Sequence, residues 1–125
     1  MDYTEHLSAL DVVRRNRLVM VTATNTDGAL QTQPMVVQKI TDEGTAWFFL
    51  NADSALAVAV QHTPQINVAV TEKGSWVSLA GTATITHDRE KIDQLWSTSV
   101  ESWFPQGKDD PSVVLLKFHA ETAKR

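Results

Sequence analysis

The chain has 125 residues, 42% hydrophobic and 21% charged, which fits one folded domain over 1–125 with its own core and excludes a disordered polypeptide. Its net charge of −4 and pI near 5.4 give no general attraction to nucleic acid or to an anionic membrane. With no cysteine, disulfides, thiol catalysis and thiolate metal sites are excluded, and a reducing cytoplasm is the expected compartment.

The first segment, "MDYTEHLSAL", carries acids and no apolar core stretch, so no signal peptide is expected. "DYTEHLSALDVVRRN" (2–16) predicts an amphipathic helix, with Asp2 and Glu5 at capping-box spacing and Thr4 as another cap. Leu7, Leu10 and Val13 recur at helical intervals, and Arg14 and Arg15 complement the dipole of the last turn. "RLVMVTAT" (17–24) predicts a strand ending in the turn "NTDG". "ALQTQPMVVQKI" (29–40) predicts a second, in which Pro34 requires an edge, a bulge or a break because it donates nothing to a ladder. After "TDEG", "TAWFFL" (45–50) predicts a third.

The pattern then switches. "NADSALAVAVQH" (51–62) predicts a short helix starting near Asp53, and its apolar run "ALAVAV" is far too short to span a bilayer. "QINVAVTE" (65–72) and "SWVSLAGTATITH" (75–87) predict two further strands, with Gly81 as a bulge. "DREKIDQLWSTSVESWF" (88–104) predicts one helix, and "SVVLLKFH" (112–119) a last strand. The expectation is a mostly β protein: a barrel of about six antiparallel strands with peripheral helices.

Catalytic signatures are absent: there is no G-x-S-x-G, P-loop, H-E-x-x-H or G-x-G-x-x-G. His6, His62, His87 and His119 lack metal-ligand spacing, so no metal site and no catalytic residue is assigned. Asp109 and Asp110 read as a polar rim or a strand cap. In "LNADS" (50–54), where a strand meets a helix start, Asn51 and Ser54 can add neutral donors to a helix N-terminus able to hold a phosphate; equally, Asp53 or Ser54 simply caps the helix. Trp47, Phe48 and Phe49 must alternate faces, so at least one points away from the barrel interior, as Trp76 does in its own strand. Helices can cover them, or a homodimer face can. "ESWFPQGKDDP" (101–111) is the oddest segment: Trp103 and Phe104 sit beside Pro105, Gly107 and three charges, where no regular element is possible.

The order "QTQPMVVQ", "TAWFFLNADS", "WVSLAGTATI", "DREKIDQLW" and "WFPQGKDDP" resembles the pyridoxamine 5′-phosphate oxidase-like, FMN-binding split-barrel superfamily, most of all its general stress protein branch. The resemblance covers nearly the whole chain. It implies a split β-barrel, a homodimer with flavin mononucleotide (FMN) at the subunit interface, and hydride or electron exchange with a small-molecule partner. By resemblance, Trp103 and Phe104 are apolar anchors near the interface and flavin, and Lys108 either lends positive charge to the flavin's anionic end or pairs with the acids beside it. The segments expected at the cofactor are Gln33, Pro34 and Met35; Phe49, Leu50 and Asn51; Ser54 and Leu56; with Trp76 where some relatives reach the flavin from the partner subunit.

Three positions depart from the family pattern. Gln33 stands where an arginine usually precedes Pro-Met, Leu56 where a lysine is common, and Leu50-Asn51 where Thr or Ser follows the aromatic. Charge-assisted bonds contribute about 1.5–3 kcal/mol each, so FMN is expected to be weak or partly occupied. The chain stops soon after "FHAETAKR", where true pyridoxamine 5′-phosphate oxidases continue into a segment that holds the vitamin substrate, so that activity is not expected. Two other readings stand beside the flavoprotein: a flavin-poor homodimer acting as a binding or structural module, and a binder of deazaflavin or haem.

Overall fold

The computed structural model describes the backbone of residues 3–125 and the side chains from Leu7 onward. The capping box of Asp2 and Glu5, the Thr4 cap and the His6 side chain lie outside the described residues. The first helix, α1 (Tyr3–Asn16), buries Ala9, Leu10, Val12 and Val13, the stripe its periodicity predicts. It ends where Arg17 takes a left-handed φ of 49° and returns its N–H to the Val13 carbonyl at 2.9 Å.

Seven strands follow: β1 (Leu18–Thr24), β2 (Leu30–Val36), β3 (Lys39–Ile40), β4 (Thr45–Asn51), β5 (Gln65–Glu72), β6 (Ser75–Thr86) and β7 (Val113–Lys124). They form one antiparallel sheet in the order β2–β1–β5–β6–β7–β4–β3. The expected count of six is one short because segment 29–40 is two strands. The Val37 N–H donates to Arg17 at 2.8 Å, on the β1 side, and the next, of Gln38, donates to Trp47 at 2.9 Å, on the β4 side. The chain therefore changes partner between two residues, and the first and last strands of the sheet are consecutive in sequence. The sheet curls into a barrel that closes only there. Among the described residues no strand pairs with the outer edge of β2, nor with β4 beyond Trp47 on that side. These two edges bound a split, and Pro34 sits on the β2 edge, where a missing donor costs nothing.

Inside the curl, Val19, Val21, Phe48, Leu50, Val68, Leu79, Leu116 and Phe118 form the main core with Leu10 and Val13 of α1. The second helix, α2 (Ala55–His62), adds Leu56, Ala57, Ala59 and Val60 from beyond one end of the split. Each such large side chain contributes about 1.5–3 kcal/mol on burial. A second cluster lies on the outer face of β4 and β7, where Phe49, Val113 and Leu115 meet Ile92 and Val100. It explains "WFF" and "VVLL": these strands are covered on both sides, so apolar residues need not alternate with polar ones.

The predicted helix over 88–104 is instead α3 (Arg89–Leu95) and α4 (Thr98–Glu101). Trp96 is extended, with ψ of 138°, and Ser97 caps α4 by accepting from the Val100 N–H at 3.3 Å. The Ser-Thr-Ser run competes with the helix through its own hydroxyls and restarts it. The last strand runs to Lys124, beyond the expected 119, and the bulge predicted at Gly81 appears as a register shift between Ala80 and Gly81.

Candidate functional site

Among the described residues, the split is where the sheet leaves two strand edges unpaired, and most of the expected site residues border it. Gln31, Gln33 and Met35 lie on one face of β2 opposite the buried Ala23, Val21 and Val19, so they face the inside of the curl. Burial increases along this row: Gln31 is exposed, while Gln33 and Met35 are half-buried. The Gln33 amide donates to the Met35 sulfur at 3.3 Å, a weak acceptor. Pro34 faces the outer side beside Met20.

Across the split, Leu50 enters the main core and Phe49 the second cluster, so neither side chain is free. Asn51 is exposed, and its side-chain oxygen accepts from the Asp53 N–H at 2.8 Å. Ser54 is the N-cap of α2, accepting from the Ala57 N–H at 3.2 Å. The capping reading of 51–54 is therefore realised, and the amides of Ala55 and Leu56 remain without an intrahelical acceptor. Leu56 is 5% exposed and packs in the core. Beside this open end, Gln31, Ala55 and Val58 line a hollow of about 360 Å³ with Asn25, Thr26 and Asp27.

The closed end has a different character. A groove of about 360 Å³ is lined by Asn16, Arg17, Leu18, Val36, Gln38, Ser97, Ser99 and Trp103. Trp103 is 50% exposed there. Its neighbour Phe104 turns the other way, with ring centroids 6.2 Å from both Phe49 and Trp96. Gly107, at φ 87°, closes the turn onto the Phe104 carbonyl at 2.9 Å. Lys108 pairs with Asp93 of α3 at 3.3 Å rather than with the acids beside it, and it is not among the residues lining the groove. Asp110 accepts from the backbone and hydroxyl of Ser112 at 2.9 and 2.8 Å, which holds its carboxyl below the usual range. Segment 101–111 thus carries one internal anchor, Phe104, and presents one aromatic outward, Trp103.

Sequence reasoning missed Arg17 and Gln38. Both line this groove and a neighbouring one of about 300 Å³ shared with Arg14 and Lys39. The signal was the end of α1 meeting the partner switch at 37–38, and it is visible only once both are placed. Arg14 is occupied by Asp11, Asp42 and the Ile40 carbonyl. Arg17 gives its Nε to the Val37 carbonyl at 2.9 Å. No group of three or more His, Asp or Glu residues suited to a metal occurs among the described residues.

The outer face of β1 is unusually apolar. Leu18 is 59% and Met20 43% exposed, with Pro34 and Val36 opposite them on β2. In the same sheet Ala69 pairs with Met20, and Trp76, 51% exposed, lies one strand further on β6. Trp76 is thus separated from the split by β5, β1 and β2 on one side and by β7 and β4 on the other.

The residues fit a flavin unevenly. Trp103, Leu18 and Val36 suit an isoalloxazine ring, and Gln33, Asn51 and Ser54 suit the hydroxyls of a ribityl chain. At the open end, the hollow beside α2 is lined by no cation among the described residues.

A model of the family described as pyridoxamine 5′-phosphate oxidase like matches residues 4–125. General stress protein 26 of Bacillus subtilis (strain 168) is 43% identical over 47 residues, which make up 38% of this chain and 33% of that protein. The matched segment thus spans about a third of that relative's length. A protein related to general stress protein 26 from Clostridium acetobutylicum has a TM-score of 0.84 at 24% identity, covering 98% of this chain and 88% of its own. The general stress FMN/FAD binding protein of Xanthomonas citri has a TM-score of 0.80 at 28% identity, covering 96% and 87%. The curled split sheet of the solved relatives and the matched length agree, and the chain belongs to the pyridoxamine 5′-phosphate oxidase like family.

Proposed function

We propose that the chain is a flavin-binding stress protein of the oxidoreductase type, with FMN as its expected cofactor, working as a homodimer whose two splits lie at the subunit interface. The observation that carries this reading is the apolar outer face of β1–β2, with Leu18, Met20 and Pro34 exposed beside a groove holding Trp103. A face of this kind calls for a partner, and a second copy of the chain supplies one by two-fold symmetry. Such a copy also gives Trp76 a use, since it reaches a split only from a neighbouring subunit. The bound flavin supplies hydride or electron transfer with a small-molecule partner; the chain supplies position and electrostatics. Pro34, Met35, Gln33 and Asn51 border the ligand, Trp103 and the partner's Trp76 flank the ring, and no side chain is assigned as acid or base. Phe49, Leu50 and Leu56 support the site from the two cores, and Lys108 fixes the Trp103 loop through Asp93.

A cytoplasmic setting agrees with the lack of cysteine, and among the described residues no helix is long and apolar enough to cross a membrane. The second reading, a homodimeric binding module poor in flavin, is favoured by the lack of a cation in the open-end hollow. The visible absorption of the purified protein, followed by an FMN titration read by quenching of flavin fluorescence, separates the two. Partial occupancy that rises with added FMN supports the flavoprotein; no quenching at any FMN concentration rejects it in favour of the module.

A further inference from the structure

We propose, on the flavin reading above, that the split selects its ligand by ring and ribityl chain and gives the phosphate no recognition, so that riboflavin and FMN bind alike. The two ends of the split differ in charge. The open end offers the amides of Gln31, Gln33 and Asn51 and the hydroxyl of Ser54, with the carboxylates of Asp27 and Asp53 close by in the chain. Part of this capacity is committed: Gln33 to Met35, Asn51 to the Asp53 N–H and Ser54 to the Ala57 N–H. The inward side chains of the first α2 turn are Leu56 and Ala57, buried among apolar neighbours.

A phosphomonoester carries about −1.5 to −2 charges at pH 7. Removing it from water is offset by charge-assisted bonds, about twice as strong as neutral ones. Here the available bonds are neutral and the carboxylate lining the hollow, Asp27, repels the group. Ribityl hydroxyls, by contrast, lose little on transfer to amide and hydroxyl partners. Among the described residues, the cations lining the two grooves at the closed end are Arg14, Arg17 and Lys39. A phosphate seated at the open end is beyond their help.

The test titrates the full chain with riboflavin and with FMN, read by flavin fluorescence at low and high salt and on both sides of the phosphate's second pKa of about 6. The expected result is a pair of affinities within about threefold, with a ratio that salt leaves unchanged. FMN tighter by tenfold or more, with the advantage lost in salt, overturns the proposal. If that advantage also disappears in Arg17→Gln, the phosphate sits at the closed end. Binding of neither flavin rejects the flavin reading itself, whereas binding of either keeps it and decides only the phosphate question. The variant Gln33→Arg gives a second, independent reading. It should raise the preference for FMN over riboflavin about tenfold, whatever the lost amide costs the ribityl chain that both share, and lose that preference in salt. An equal change for both ligands, or none for either, overturns the placement of the phosphate end.

Discussion

Gly81 is required by closeness rather than by a left-handed turn. A methyl group built on it would lie 1.9 Å from the His119 carbonyl oxygen, which is backbone and has no rotamer in which to retreat. The bulge in the β6–β7 pairing brings the strands together at that point. Gly81→Ala is therefore expected to destabilise by about 3 kcal/mol, seen as a melting temperature lower by on the order of 10 °C. A melting curve matching that of the parent would contradict this. Asp110 gives a pH-dependent case. Ser112 donates two hydrogen bonds to its ionised form, so the folded carboxyl titrates below the unfolded one. Its stabilising contribution is complete above the unfolded value of about 3.9 and is lost as pH falls through the lower, folded value. Asp110→Ala should accordingly be less stable than the parent in urea at neutral pH, and the gap should narrow in acid below about pH 3.9.

Among the elements, α3, α4 and the loop that follows them have little core of their own. They are held to the sheet by the second cluster and by Arg89, which donates to the Lys108 and Asp110 carbonyls at 3.2 and 3.5 Å. Phe104→Ala removes one wall of the aromatic group around Phe49 and Trp96. Because Phe104 is only half-buried, the expected loss is about 2 kcal/mol, less than for a full core phenylalanine. Hydrogen exchange should show it first across 96–111, with the β5–β6 hairpin still protected. The elements legible in the sequence were those with one strong local signal. β5 was predicted with the bounds it has, the glycine bulge was expected from backbone chemistry, and of the edge, bulge or break required at Pro34 the structure has the edge. The second half of β7 was not legible, because "AETAKR" alternates only weakly and is ordered by pairing with Ser78, Leu79 and Ala80. The α3–α4 break depended on serine side chains competing with a helix that the apolar spacing favoured. At the site, the row Gln33–Pro34–Met35 and the Ser54 cap were legible, whereas Arg17 and Gln38 became neighbours only through the partner switch.

For the whole molecule, the central expectation is assembly. Sedimentation at micromolar concentration should give about twice the 13.9 kDa chain mass. Met20 tests the face proposed for it, being 43% exposed between Pro34 and Ala69. Met20→Lys should leave the fold of the single chain nearly unchanged, as surface substitutions in strands commonly do within about 0.5 kcal/mol. It should also shift the sedimenting species toward 13.9 kDa, since the charge would be buried against its own copy. A variant that stays dimeric would move the interface to another face.

The partner switch at Val37–Gln38 also constrains how the barrel can go wrong. β2 and β3 are one continuous run of chain paired to opposite ends of the same sheet. Sliding β2 along β1 by two residues, the smallest step that keeps each side chain on its own face, would drag β3 out of line with β4 by the same distance. The two pairings are thus not separate choices during folding: each vetoes the misalignments of the other. A sheet with two open edges, ordinarily tolerant of slippage and of added strands, is pinned here by two adjacent peptide groups facing opposite ways.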